Sequence, residues 1–164
     1  MNKNSLTLTA TVFLIIFSPC PLEAEYENLT GSYRVHDPVM ARQDDTYYVF
    51  YTGNQTPFRI STDKNNWRSG GYVWPSGPPA WTWEEVPGFD GNIWAPDISY
   101  FNEKYHLYYS ISSFGRNHSC IGLATNTTLD PCEPDYQWVD SGGPVVRSYS
   151  FDNYNAIDPA LFID

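Results

Sequence analysis

Short runs of aromatic and β-branched residues, separated by clusters of Asp, Asn, Gly and Glu, set the pattern of this chain. Residues 39–41 (Val-Met-Ala) predict a first short strand, and Gln43-Asp44-Asp45 a turn. Thr46-Tyr47-Tyr48-Val49-Phe50-Tyr51 has the composition that favours strands, and Gly53-Asn54 closes it. Phe58-Arg59-Ile60-Ser61 begins a third strand, and Asp63-Lys64-Asn65-Asn66 predicts a turn before Trp67. The same order then returns. Ile98-Ser99-Tyr100-Phe101, the turn Asn102-Glu103-Lys104 and the aromatic run at 105–110 match the first unit. Ile121-Gly122-Leu123-Ala124-Thr125-Asn126 matches residues 58–63, and Tyr136-Gln137-Trp138-Val139 matches the region of Trp67. Between the units, residues 72–90 are dense in Pro, Gly and Trp, which predicts an irregular connection and neither strand nor helix. No amphipathic helix is predicted after residue 24.

Each unit opens on a related motif. Val35-His36-Asp37-Pro38-Val39-Met40 heads the first and Asn92-Ile93-Trp94-Ala95-Pro96-Asp97-Ile98 the second. A third, Asn155-Ala156-Ile157-Asp158-Pro159-Ala160-Leu161-Phe162, follows, so Asp37, Asp97 and Asp158 lie 60 and 61 residues apart. Self-similarity at a fixed period marks repeat architectures. The expectation is an all-β chain whose units are blades of a β-propeller, comprising the first two blades and the start of a third. Propellers close with about four to eight blades, and residues 160–164 end inside an apparent strand, so a chain truncated at its C-terminus is expected.

The apolar run at 8–17, followed by Pro19 and a small residue at Ala24, reads as a secretory signal peptide over 1–24, with the propeller domain at 25–164. Removing it leaves the net charge at −10, since one Lys and one Glu depart together. Nucleic-acid binding relies on Lys and Arg neutralising phosphate, so that partner is not expected. No other apolar run reaches the length of a membrane span. A monomer is expected. Export makes a Cys120–Cys132 disulfide the favoured state, with two free thiols as the alternative. Sequons at Asn28, Asn54, Asn117 and Asn126 suggest a secreted, extracellular glycoprotein.

In a propeller the innermost strands line the central axis, so equivalent positions of successive blades converge there. Asp37, Asp97 and Asp158 would then share one pocket, where crowded carboxylates can supply an acid and a base at one pH. The competing reading is structural: Asp-Pro pairs start turns, and the order Pro96-Asp97 makes that reading strongest for Asp97. Trp94 and Phe114 could offer aromatic faces to the C–H face of a sugar, or pack in the core. Gly122 could admit ligand to the backbone or serve close packing. His36, His106 and His118 sit in no metal-binding or triad motif, so metal and nucleophilic-serine chemistry are not expected.

Read together, these stretches resemble glycoside hydrolase family 43, and within it the endo-1,5-α-L-arabinanases. The residues carrying the resemblance are His36-Asp37-Pro38-Val39 with Asp45-Thr46-Tyr47-Tyr48-Val49-Phe50, and Asn92-Ile93-Trp94-Ala95-Pro96-Asp97-Ile98-Ser99-Tyr100. Ser112-Ser113-Phe114-Gly115, the run at 121–126, and Tyr154-Asn155-Ala156-Ile157-Asp158-Pro159 complete it. The resemblance implies a five-bladed propeller and inverting hydrolysis of internal α-1,5 bonds in arabinan, a plant cell-wall polysaccharide. It implies Asp37 as general base and Asp158 as the residue that orients the general acid and raises its pKa. Trp94, Phe114, Gly122 and Asn155 would fall along the substrate groove, and Asp97 would line the pocket. The general acid of the family is a glutamate on a later blade, which nothing after Asp158 supplies. The chain as written is therefore expected to be nearly inactive. No cofactor is required; the structural calcium of some members uses a later histidine, so its ligands are not expected here. The alternatives are an exo-acting α-L-arabinofuranosidase or β-xylosidase of the same family, or a non-catalytic carbohydrate-binding propeller.

Overall fold

The structure, a computed structural model, describes residues 29–162. The signal-peptide reading and the Asn28 sequon lie outside the described residues. Twelve short elements follow the blocks of the sequence. They begin with β1 (Thr30–Gly31), β2 (Val39–Gln43), β3 (Thr46–Phe50), β4 (Gly53–Asn54), β5 (Pro57–Ser61) and β6 (Asn66–Tyr72). After α1 (Trp81–Glu85) come β7 (Asn92–Phe101), β8 (Lys104–Ile111), β9 (Ser119–Asn126), β10 (Val139–Asp140) and β11 (Val146–Ser148).

The first sheet has the order β1-β6-β5-β3-β2, an antiparallel meander from β2 outward, with β1 added in parallel at its outer edge. The second has the order β10-β9-β8-β7-β4, and β11 continues the outer edge along β9. Each unit is thus a four-stranded meander whose first strand is innermost, the form of a propeller blade. Turn chemistry sets the hairpins. Asn102 and Glu103 both take left-handed φ (50° and 60°) in the two-residue link from β7 to β8, the backbone twist that suits a tight hairpin. Between β5 and β6, the Asp63 carboxylate accepts the Asn65 and Asn66 N–H groups at 2.9 and 2.7 Å. These bonds hold its carboxyl well below the usual carboxylate range.

Apolar faces of the two sheets form one core. Ile93, Leu107, Tyr109 and Ile111 on the second sheet have no exposed surface, and Phe50 and Phe58 on the first are 1% exposed. Burying each such side chain contributes roughly 1.5–3 kcal/mol. Phe50 stacks on Phe58 at 5.3 Å and meets the edge of Trp138 from the other blade at 5.8 Å. At the blade junction, Gln43 accepts the Leu129 N–H at 2.5 Å and donates to Thr128 Oγ1 at 3.0 Å. Strand β4 pairs with the start of β7, joining the sheets on the inner side.

Two expectations are corrected. Residues 72–90 are not wholly irregular, because Trp81–Glu85 forms a helical turn. The cause is tertiary: Thr82 is fully buried and its hydroxyl donates to Pro79 O at 2.7 Å, while Trp81 Nε1 donates to Asp140 Oδ1 at 2.7 Å. The Cys120–Cys132 disulfide is absent, and both thiols are free. Cys120 lies inside the second sheet opposite Ile111, whereas Cys132 sits exposed in the loop after Asp130.

Burial pushes the Cys120 thiol up to about 12. Thiolate is the reactive form, so this thiol is inert at neutral pH. The expected outcome is that iodoacetamide alkylates Cys132 in the native chain at pH 8 and leaves Cys120 unmodified until the chain is denatured, as read by peptide mass spectrometry. Of the sequons, Asn54 is exposed on β4, Asn117 donates from Nδ2 to Asp152 O at 2.8 Å, and Asn126 is 3% exposed.

Candidate active site

The residues that open each unit share one backbone state. Asp37, Ala95 and Asp158 each precede a proline and each have left-handed φ, at 46°, 38° and 53°. Residues before proline are pushed toward extended conformations, and left-handed backbone at a non-glycine costs about 1–2 kcal/mol. Three such residues at matched positions form a recurring strained turn, ahead of β2 at Asp37, within β7 at Ala95, and at Asp158 where no strand follows. The structural counterpart of Asp37 and Asp158 in the second unit is therefore Ala95, and not Asp97 as the spacing of aspartates implied. A bulge between Trp94 and Asp97 shifts the β7–β8 register there. Asp97 follows that bulge, pairs with Tyr108, and accepts the Leu161 N–H on Oδ2 at 2.9 Å. Residues 158–162 form no strand of their own.

Asp37 stands at the wall of a cleft of about 410 Å³. Its Oδ2 accepts the Thr52 hydroxyl at 2.7 Å and lies 3.4 Å from His36 Nε2. The Thr52 hydroxyl in turn accepts the Ala95 N–H at 2.8 Å, and the Thr52 N–H donates to His36 O at 2.9 Å. Trp94 and Phe114 line the same cleft, Trp94 half-buried on β7 and Phe114 96% exposed in the loop after β8. The remaining walls are Gly88 and Asp90 from the Trp-rich connection, Asn92 at the head of β7, and Ser112 and Ser113 beside Phe114. The connection is held in place where the Ser113 hydroxyl donates to Pro87 O at 3.1 Å.

The structure thus brings together Asp37, Trp94 and Phe114. Asp158 is exposed, and its N–H donates to Ser110 Oγ at 2.9 Å, Ser110 being the register partner of Trp94. Asn155 does not line the cleft; its Nδ2 donates to Arg116 O at 3.4 Å, and its Oδ1 lies 3.5 Å from Ser148 Oγ. Gly122 lies elsewhere. It is buried on β9 under the Tyr109 ring, and a Cβ there would sit 2.4 Å from Tyr109 Cζ. Its lack of a side chain therefore serves packing. Tyr109 itself donates its hydroxyl to Asp140, and burial raises its pKa far above the ordinary range.

Thr52, Asp90 and Asn92 were not singled out from the sequence. Ser112-Ser113 preceded Phe114 in a recognised stretch, and Asn92 opened a motif, so those signals were present. Thr52 carried none, since its role comes from a contact between blades. Among the described residues, no group of three or more His, Cys, Asp or Glu side chains could hold a metal ion. No chemical step is assigned to a metal ion. Among the described residues, no helix is long and apolar enough to cross a membrane.

Residues 26–164 match the family described as Glycosyl hydrolases family 43. The chain is 41% identical over 155 residues to the extracellular endo-α-(1→5)-L-arabinanase 1 of Bacillus subtilis, covering 92% of this chain and 46% of that relative. Among solved structures, an exo-1,5-α-L-arabinanase from a bovine ruminal metagenomic library is 52% identical with a TM-score of 0.75, over 79% of this chain and 42% of that one. A Cellvibrio cellulosa α-L-arabinanase complexed with arabinohexaose is 44% identical with a TM-score of 0.76, over 79% and 41%. The chain spans less than half the length of these relatives. Their fold is the five-bladed propeller, and the two complete sheets here are its first two blades, with residues 158–162 opening the third. By the span of the match and the identity of its relatives, the chain belongs to family 43 of the glycosyl hydrolases.

Proposed function

We propose that this chain supplies the general-base half of a secreted, inverting hydrolase of α-1,5-linked arabinan. The observation that carries the reading is the Asp37 carboxylate, oriented by Thr52 at the wall of a cleft that also presents Trp94 and Phe114. The aromatic rings pack on the C–H faces of arabinofuranose units. Asp90, Asn92 and Ser113 are placed to hydrogen-bond hydroxyls. Asp37 then takes a proton from a water that attacks the anomeric carbon on the face opposite the departing oxygen. Asp158, tied to the strand partner of Trp94, orients the general acid and favours its protonated form. The chain covers less than half of its relatives, and the acid is assigned to the part of the relatives' length that this chain does not cover.

Relatives named as endo- and as exo-acting support the arabinan linkage equally, so product length separates the two modes. The test compares two polypeptides on linear arabinan: the 164-residue chain, and the chain continued past Asp164 to the length of its relatives (the extended chain). The extended chain should release reducing ends, as oligomers if endo-acting and as arabinose if exo-acting. The 164-residue chain should turn over about 10²–10⁴-fold more slowly, the usual worth of general acid assistance. Equal rates for the two would refute the assignment of the acid to later residues. An extended chain that binds arabinan and never cleaves it would refute the hydrolase.

A further inference from the structure

We propose that Thr52 is a positioning residue for the Asp37 carboxylate, locked into that role by the backbone N–H of Ala95; this deepens the hydrolase reading and rests on it. A threonine hydroxyl has one proton to donate and lone pairs to accept with, and when exposed it rotates freely. Here the rotation is fixed. The Ala95 N–H occupies a lone pair at 2.8 Å, which directs the single proton to Asp37 Oδ2 at 2.7 Å. The Thr52 N–H on His36 O at 2.9 Å ties the two loops together from the other side.

The division of labour between the two carboxylate oxygens follows. Oδ2 takes the Thr52 bond and lies beside His36, which leaves Oδ1 as the oxygen assigned to a water in the cleft that Asp37 lines. An oriented base needs one anchored oxygen and one free oxygen, since the free one must point at the proton it removes. The recurring strained turn explains why Ala95 is the source of the lock. In the first and third units that turn presents a carboxylate, Asp37 or Asp158. In the second it carries only a methyl, and its left-handed φ of 38° presents the N–H to Thr52 instead. The second blade therefore contributes to the base through its backbone, across the blade junction.

The test uses the extended chain with Thr52→Val, Thr52→Ser and Asp37→Asn, reading kcat and KM on linear arabinan. Thr52→Val removes a hydrogen bond to a charged group, so kcat should fall about ten- to a hundred-fold with KM within about twofold. Thr52→Ser retains the hydroxyl and should recover most of kcat. If Thr52→Val does not fold, Thr52→Ala leaves room for a water at the Ala95 N–H and carries the same expectation. Unchanged kcat in Thr52→Val or Thr52→Ala, or an equal loss in Thr52→Ser, overturns the positioning role. A raised KM at unchanged kcat also overturns it, because Thr52 would then only line the cleft. Asp37→Asn at full rate overturns the base assignment itself, an outcome distinct from Thr52 variants failing while Asp37→Asn is inactive.

Discussion

Asp37→Asn in the extended chain is expected to lower turnover of linear arabinan by about 10²–10⁴-fold while leaving affinity for arabino-oligosaccharides within about twofold. The amide keeps the shape and can still accept the Thr52 hydroxyl, so the cleft wall should hold its form. What disappears is the proton acceptor. Binding surface comes instead from Trp94, Phe114 and the polar groups around them, none of which the substitution touches. A binding protein with no chemistry would show the same affinity and no rate to lose, so the paired measurement, calorimetric affinity and reducing-end release, separates enzyme from binder. A loss of both together would mean that Asp37 shapes the cleft more than it serves the reaction.

Gly122→Ala is expected to cost about 1–3 kcal/mol of stability, the usual penalty for overpacking a filled core. The reason is a neighbour that cannot move aside. Tyr109 is fully buried, bonded through its hydroxyl to Asp140, and packed at 5.8 Å against Trp74 and 6.4 Å against Trp81. A methyl group 2.4 Å from its ring must displace either Tyr109 or β9. Chemical denaturation should show a lower midpoint, and the variant that remains folded should bind arabino-oligosaccharides as before. Weakened binding at unchanged stability would return Gly122 to the substrate groove. The same displacement would strain the Trp81–Asp140 link that seats the connection carrying Gly88 and Asp90 to the cleft.

These two positions also show where reading the sequence stops. Asp37 was legible because its motif recurs and because a strained Asp-Pro turn before a strand is a local feature. The hairpins were legible for the same reason: Asn102-Glu103 and Asp63 act on backbone a few residues away. Gly122 sat between two readings, packing or ligand, and only Tyr109 lying over it decided the matter. Cys120 and Cys132 looked like a pair because export favours one, yet a strand interior and an exposed loop hold them apart.

The sequence by itself determined the two-blade pattern, the turns, the repeated entrance motif and, through that motif and its aromatic neighbours, the family. Strand composition and turn residues act over a few positions, so one dimension suffices to record them. Only the tertiary structure decided that Ala95 stands where Asp37 and Asp158 stand, because a bulge shifts the register ahead of Asp97. Only it placed Thr52 between Asp37 and Ala95, and Trp81 on Asp140. Those contacts join residues far apart in the chain, and they form where the blades pack closely enough to align one donor with one acceptor.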